Sequence, residues 1–132
     1  MQYVIDTHAL IWFLEGNSRL GNQATTILSA PTSILILPAI ALAEALWIVE
    51  RGKTSIPSAK NLLDIVNSDP RVTVYSLDID VITQTLVLPS INEMHDRQIV
   101  ATAIVIQNKG NPVSLLTRDQ NIIASGVISI VW

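Results

Sequence analysis

At 132 residues and 14.4 kDa, the chain has the length of one ordinary domain, 1–132, with a single core. Apolar residues make up 49 % and charged residues 14 %, against ~25 % charged in typical soluble domains, which excludes intrinsic disorder. Eight basic against eleven acidic residues give a net charge of −3, which argues against holding nucleic acid by a basic field, and zero cysteines exclude a disulfide scaffold, a thiolate zinc site and a cysteine nucleophile.

Residues 3–5 predict a first strand. Asp6 and His8 interrupt that apolar run and no basic segment precedes it, so it lacks a signal-peptide layout. Residues 7–14 predict a helix ended by Gly16 and Asn17, and 20–29 a second helix. The aliphatic run 34–37 predicts a strand between Pro31 and Pro38, and Pro38 suits the first turn of a helix over 39–51. The uncharged stretch 20–43 is long enough to span a bilayer, but its prolines and polar residues divide it into helix, turn, strand and helix start. Pro57 opens a helix running to about residue 67. Residues 72–75 are β-rich, 78–88 look helical up to Pro89, and the helix 96–109 ends at Gly110, Asn111 and Pro112. Residues 113–116 predict a fourth strand, 119–125 a short helix and 127–131 a last strand. No lipidation motif is visible, and the expectation is a cytoplasmic protein with no membrane association.

Alternating strands and helices predict an α/β sandwich with a mostly parallel sheet of about five strands flanked by helices. In such sheets ligands bind beyond the carboxyl ends of the strands. Asp6 directly follows the first strand, and Asp119 follows the fourth after Thr117 and Arg118. Each suits a helix N-cap, a role that leaves one carboxylate oxygen free for another. Glu44 shares its helix face with Ile40, Ala41, Trp47 and Ile48, all apolar. A carboxylate there is costly unless it is paired or binds a cation; Arg51 is one available partner. Asp96 opens an almost wholly apolar helix and is either its cap or a carboxylate beside the same sheet edge. Carboxylates gathered at one point repel unless a cation is present. Oxygen-only ligands suit Mg²⁺ or Mn²⁺ and not zinc, and such ions serve phosphodiester hydrolysis.

Four stretches together resemble a known family. They are Val4-Ile5-Asp6-Thr7-His8-Ala9-Leu10-Ile11-Trp12, Ala41-Leu42-Ala43-Glu44-Ala45, Glu93-Met94-His95-Asp96-Arg97-Gln98-Ile99-Val100-Ala101-Thr102-Ala103 and Leu116-Thr117-Arg118-Asp119-Gln120-Asn121-Ile122. In this order and spacing they resemble the PIN-domain nucleases, and within them the VapC-like toxins of type II toxin–antitoxin pairs. The resemblance covers nearly the whole chain. It implies a PIN-like three-layer sandwich with an acidic pocket at the carboxyl edge of the sheet. It also implies that Asp6, Glu44, Asp96 and Asp119 bind one or two Mg²⁺ or Mn²⁺ ions, and that the reaction is endonucleolytic cleavage of RNA that inhibits translation.

Thr7 and Thr117 would support the carboxylates. Arg97 and Arg118 would meet substrate phosphate or neutralise the cluster, with a surface salt bridge as the alternative. The third motif has a compact Met94-His95-Asp96-Arg97 form, so a fifth acid must come from elsewhere, and Glu93 is a weak candidate. His8 and His95 stay outside the catalytic set. The family implies a homodimer and an antitoxin whose basic side chain can enter the pocket. The competing readings are an RNA-processing PIN nuclease without antitoxin and a non-catalytic PIN-like binding module. A phosphoacceptor receiver domain fits poorly, because Tyr75-Ser76-Leu77 follows the third strand where that family needs an Asp. With four acids assigned to the pocket, eight bases face seven acids elsewhere. RNA is then not repelled, and the scarcity of charge predicts an apolar surface covered by a partner.

Overall fold

The computed structural model describes every residue, Met1–Trp132. The chain runs β1 (Gln2–Ile5), α1 (Thr7–Glu15), α2 (Asn22–Ser29), β2 (Ile34–Pro38), α3 (Ala39–Glu50), α4 (Ala59–Ser68) and β3 (Val72–Tyr75). It continues through α5 (Ile79–Gln84), a 3-10 turn (Thr85–Val87), α6 (Met94–Asn108), β4 (Val113–Leu116), α7 (Gln120–Ser125) and β5 (Ile130–Val131). The five strands form one sheet in the order β3-β2-β1-β4-β5. Every pairing is parallel, so the expected mostly parallel sheet is wholly so.

Parallel neighbours need crossover connections, and these are right-handed. From β1 the chain steps outward to β2 and β3, and from β3 it returns past β1 to β4 and β5. The same handedness applied in opposite directions puts α1–α4 on one face and α5–α7 on the other. Accordingly α1 packs on α3, α3 on α4, and α5 on α6. The central strands carry aliphatic runs because both their faces are covered: Val4, Leu37, Leu115 and Leu116 are fully buried. Strand β3 lies at an edge, and its Val74 is 41 % exposed.

Several boundaries differ from the sequence expectation. Pro38 ends β2, paired with Tyr75, and occupies the N-cap position of α3, where an absent N–H costs nothing. Pro57 lies in the turn before α4, whose cap is Ser58 with its hydroxyl accepting from the Asn61 N–H at 3.0 Å. Helix α5 tightens into the 3-10 turn well before Pro89. The last strand is short because only Leu115 and Leu116 of β4 face it. Helix α6 begins at Met94 and not at Asp96, because the Glu93 carboxylate accepts from the Asp96 N–H at 2.8 Å and so caps the helix. No helix is long and apolar enough to cross a membrane.

Candidate functional site

The strand order reverses about β1: β2 and β3 lie to one side, β4 and β5 to the other. The chain leaves the carboxyl ends of β1 and β4 in opposite directions, which opens a crevice there. Asp6 and Asp119 stand at this crevice. The Asp6 N–H reaches the Leu116 carbonyl at 3.3 Å, extending the β1–β4 ladder by one bond. Both acids also cap helices. Asp6 Oδ1 accepts from the Ala9 N–H at 2.7 Å, and Asp119 Oδ1 from the Ile122 N–H at 3.0 Å. Each cap uses Oδ1 and leaves Oδ2 for other work, so the capping and functional readings hold together.

Thr117 is fully buried between the two acids. Its hydroxyl accepts from the Asp119 N–H at 3.1 Å, and its closeness to Asp6 favours that acid's charged form. Thr7, also buried, donates its hydroxyl to Glu44 Oε1 at 2.7 Å across the gap between α1 and α3. The other Glu44 oxygen, Oε2, lies 3.0 Å from His95 Nδ1. A carboxylate only accepts, so Nδ1 carries the proton in this contact. The same nitrogen lies 3.3 Å from Glu93 Oε1. Glu44 is thus held from two sides, and the pairing with Arg51 does not form. The Arg51 guanidinium sits over the Trp47 ring instead, 4.1 Å from its centroid.

Asp6, Thr7, Glu44, Asp96, Arg118 and Asp119 line one cleft of about 400 Å³, joined by Glu93, His8, Trp12, Ile99 and Trp132. The charges are lopsided: five carboxylates face one arginine and one histidine. Asp96 responds most. Burial first, then the charges of Asp119, Glu93, Glu44 and Asp6, push its carboxyl up to about 7. Asp6 is also raised, chiefly by burial and slightly by Asp119. The nearby Thr117 hydroxyl, the bond from the Ala9 N–H and the nearby His8 pull the other way.

Two expectations about the arginines part company. Arg118 is exposed at the cleft, its guanidinium 4.6 Å from the Trp12 centroid. Arg97 is turned away from the cleft, because its Nε donates to the Ile91 carbonyl and its Nη2 to the Pro89 carbonyl at 3.3 Å. It straps the loop ahead of α6 to that helix and does not line the acidic cleft.

The donor set fits a hard divalent ion. It offers several carboxylate oxygens, no sulfur, and a carboxyl raised first by burial and then by four neighbouring acids. No three His, Asp or Glu side chains form a ready-made ligand cage.

Glu93, His95 and Trp132 are the contributions that sequence reasoning undervalued. Trp132 follows β5 as Asp6 follows β1 and Asp119 follows β4. Reading the residues after every parallel strand would have found it.

A family model described as PIN domain matches residues 3–125. No curated protein sequence matches this one. The fold is similar to that of VapBC2 from Rickettsia felis, solved bound to a DNA fragment from its promoter: TM-score 0.70, 18 % identity, 99 % of this chain and 98 % of that one covered. It is similar to VapC20 of Mycobacterium tuberculosis, described as a sarcin–ricin loop cleaving toxin, at TM-score 0.69 and 18 % identity, with 95 % of each chain covered. A toxin–antitoxin complex from Klebsiella pneumoniae gives TM-score 0.70 and 18 % identity, covering 99 % of this chain and 97 % of that one.

Proposed function

Since the chain belongs to the PIN-domain family, we propose that it is a Mg²⁺- or Mn²⁺-dependent endoribonuclease and the toxin of a type II toxin–antitoxin pair. The observation that carries this reading is the meeting of Asp6, Glu44, Asp96 and Asp119, from four separate elements, in one cleft where their mutual repulsion is unrelieved. Those four carboxylates would hold one or two ions. A bound ion supplies an activated water and stabilises charge on the phosphoryl oxygens.

The remaining residues position and screen. Thr7 and His95 fix the two oxygens of Glu44, and Thr117 holds the backbone of Asp119 beside Asp6. Arg118 stands ready for a phosphate at the mouth of the cleft. Bound ions neutralise most of the cluster, which lets a polyanion approach a protein of net charge −3.

The structural relatives include toxin–antitoxin complexes and a toxin that cleaves the sarcin–ricin loop, which supports RNA as substrate and an antitoxin as partner. Apolar surface is available for such a partner and for a homodimer. Ile40, Ala43, Trp47 and Ile48 line a groove of about 430 Å³ beside Glu44 and His95. Ile79 and Leu86 are 72 % and 80 % exposed.

The test is cleavage of RNA by purified protein. Cutting is expected with Mg²⁺ or Mn²⁺ and none in EDTA, and expression of the chain alone should arrest growth. Cleavage that survives EDTA would contradict the metal requirement. Cleavage without any growth effect would favour an RNA-processing enzyme without antitoxin.

A further inference from the structure

We propose that Trp132 is a base-stacking platform at the acidic cleft which, with Arg118, confines the substrate to RNA with unpaired bases beside the cut phosphate. This rests on the ribonuclease reading above and adds the residue that selects the substrate. Trp132 lies past the carboxyl end of β5 and lines the same cleft as Asp6, Asp96 and Asp119. Its ring meets Trp12 edge to face, with centroids 6.0 Å apart and planes at 71°. Trp12 itself is only 9 % exposed, so it is a pedestal and not a platform. It carries the Arg118 guanidinium on its face, 4.6 Å from the centroid, and Trp132 alongside. Arg19 lies over the same ring at 5.8 Å, so Trp12 gathers two cations and one half-buried indole, with Arg118 and the indole lining the cleft beside the carboxylates.

Position 21 makes this seat possible. A Cβ on Gly21 would stand 2.4 Å from the Trp132 carbonyl carbon and 2.6 Å from its Cδ1. Only a bare glycine lets the tryptophan settle against the start of α2, and yet the ring still borders the cleft.

A ring of this kind discriminates by access. In a duplex both faces of each base are covered by its neighbours, so stacking on a protein aromatic selects unpaired bases. Electrostatics cannot replace this contact here. The chain carries net charge −3, and Arg118 and His8 are the only basic residues lining the cleft. Stacking must therefore supply a large share of the grip, while Arg118 takes the neighbouring phosphate.

The experiment is fluorescence anisotropy with Ca²⁺ in place of Mg²⁺, so that a divalent ion offsets the acidic cluster and a gel checks that the RNA stays intact, with a labelled single-stranded RNA and the same strand annealed to its complement. Cleavage with Mg²⁺ and Mn²⁺ is measured alongside, and circular dichroism checks the fold of each variant. The native protein is expected to prefer the single strand by about tenfold or more. Trp132→Ala is expected to weaken single-strand binding roughly 5- to 150-fold, the range for one stacked base, with duplex binding unchanged. Trp132→Phe should retain most of the affinity. Trp132→Leu, which fills space without an aromatic face, should behave like the alanine variant, and Gly21→Ala should also weaken binding. Native-like binding by Trp132→Leu, or equal affinity for duplex and single strand, overturns the platform. Failure of the ribonuclease reading looks different: the native protein then cuts no RNA with either ion, whatever these affinities are.

Discussion

Replacing Asp96 by asparagine should stabilise the metal-free protein, and only at neutral and alkaline pH. The folded carboxyl titrates at about 7 against an ordinary 3.8, because burial and four neighbouring acids disfavour its charge. Between those values the folded state holds a proton that the unfolded chain has released. The stability attached to this group is therefore fully present below pH ~4 and is lost as pH rises to ~7. For a fully shielded group, that displacement corresponds to about 4 kcal/mol at ~1.4 kcal/mol per pH unit. Asp96 is only half-buried, and solvent screening reduces the effect to about 1–2 kcal/mol. The assay is thermal unfolding in EDTA at pH 4.5 and pH 8 for the native protein and Asp96→Asn. The two should unfold together at the lower pH. At pH 8 the variant should gain roughly 3–8 °C. Adding Mg²⁺ should raise the native protein more than the variant, because the ion binds the folded state and needs the carboxylate. A variant no more stable than the native protein at pH 8, or a gap independent of pH, would refute the crowding of charge at this cleft.

Other substitutions separate roles that share one residue. Asp6→Asn and Asp119→Asn keep an oxygen to cap α1 and α7 but lose the charge, so thermal stability should hold while RNA cleavage falls at least ~100-fold; unchanged cleavage would leave both as caps alone. His95→Ala frees one oxygen of Glu44 and should weaken Mn²⁺ binding about tenfold by calorimetry; unchanged affinity would remove His95 from the site. Arg97→Ala should lower stability by about 1–2 kcal/mol in urea unfolding through lost bonds to the Ile91 and Pro89 carbonyls. Its RNA affinity should stay native, and a large loss of affinity would return Arg97 to the substrate.

The sheet was legible because its central strands are aliphatic runs set between prolines, glycines and turn residues. Where the reading missed, tertiary context had decided. Residues 127–129 have the composition of a strand, but the chain bends at 127–128 and the ladder to β4 starts only at Ile130 opposite Leu115, with Ser129 meeting β4 through its carbonyl and hydroxyl. Asp96 satisfies the cap preference and Glu93 does not, yet the backbone path makes Glu93 the cap of α6 and leaves Asp96 lining the cleft.

The same division runs through the site. Asp6 and Asp119 follow from the rule about strand ends; Glu44 stands out as a charge on an apolar stripe, but only the family resemblance brings it to the same site. Asp96 came only through family resemblance, since a carboxylate at a helix start has a sufficient ordinary use. Sequence does not reveal that the Ile91 and Pro89 carbonyls engage the Arg97 guanidinium. Trp132 carries no sequence signal beyond its place directly after a parallel strand.

The central claim is that these carboxylates share a divalent ion. The most direct measurement is the anomalous signal of a crystal grown with Mn²⁺. The account predicts a peak inside the cleft, with carboxylate oxygens of Asp6 and at least one of Asp96 and Asp119 at roughly 2.0–2.3 Å and waters completing the shell. A crystal saturated with Mn²⁺ whose peaks all lie outside the cleft would contradict it.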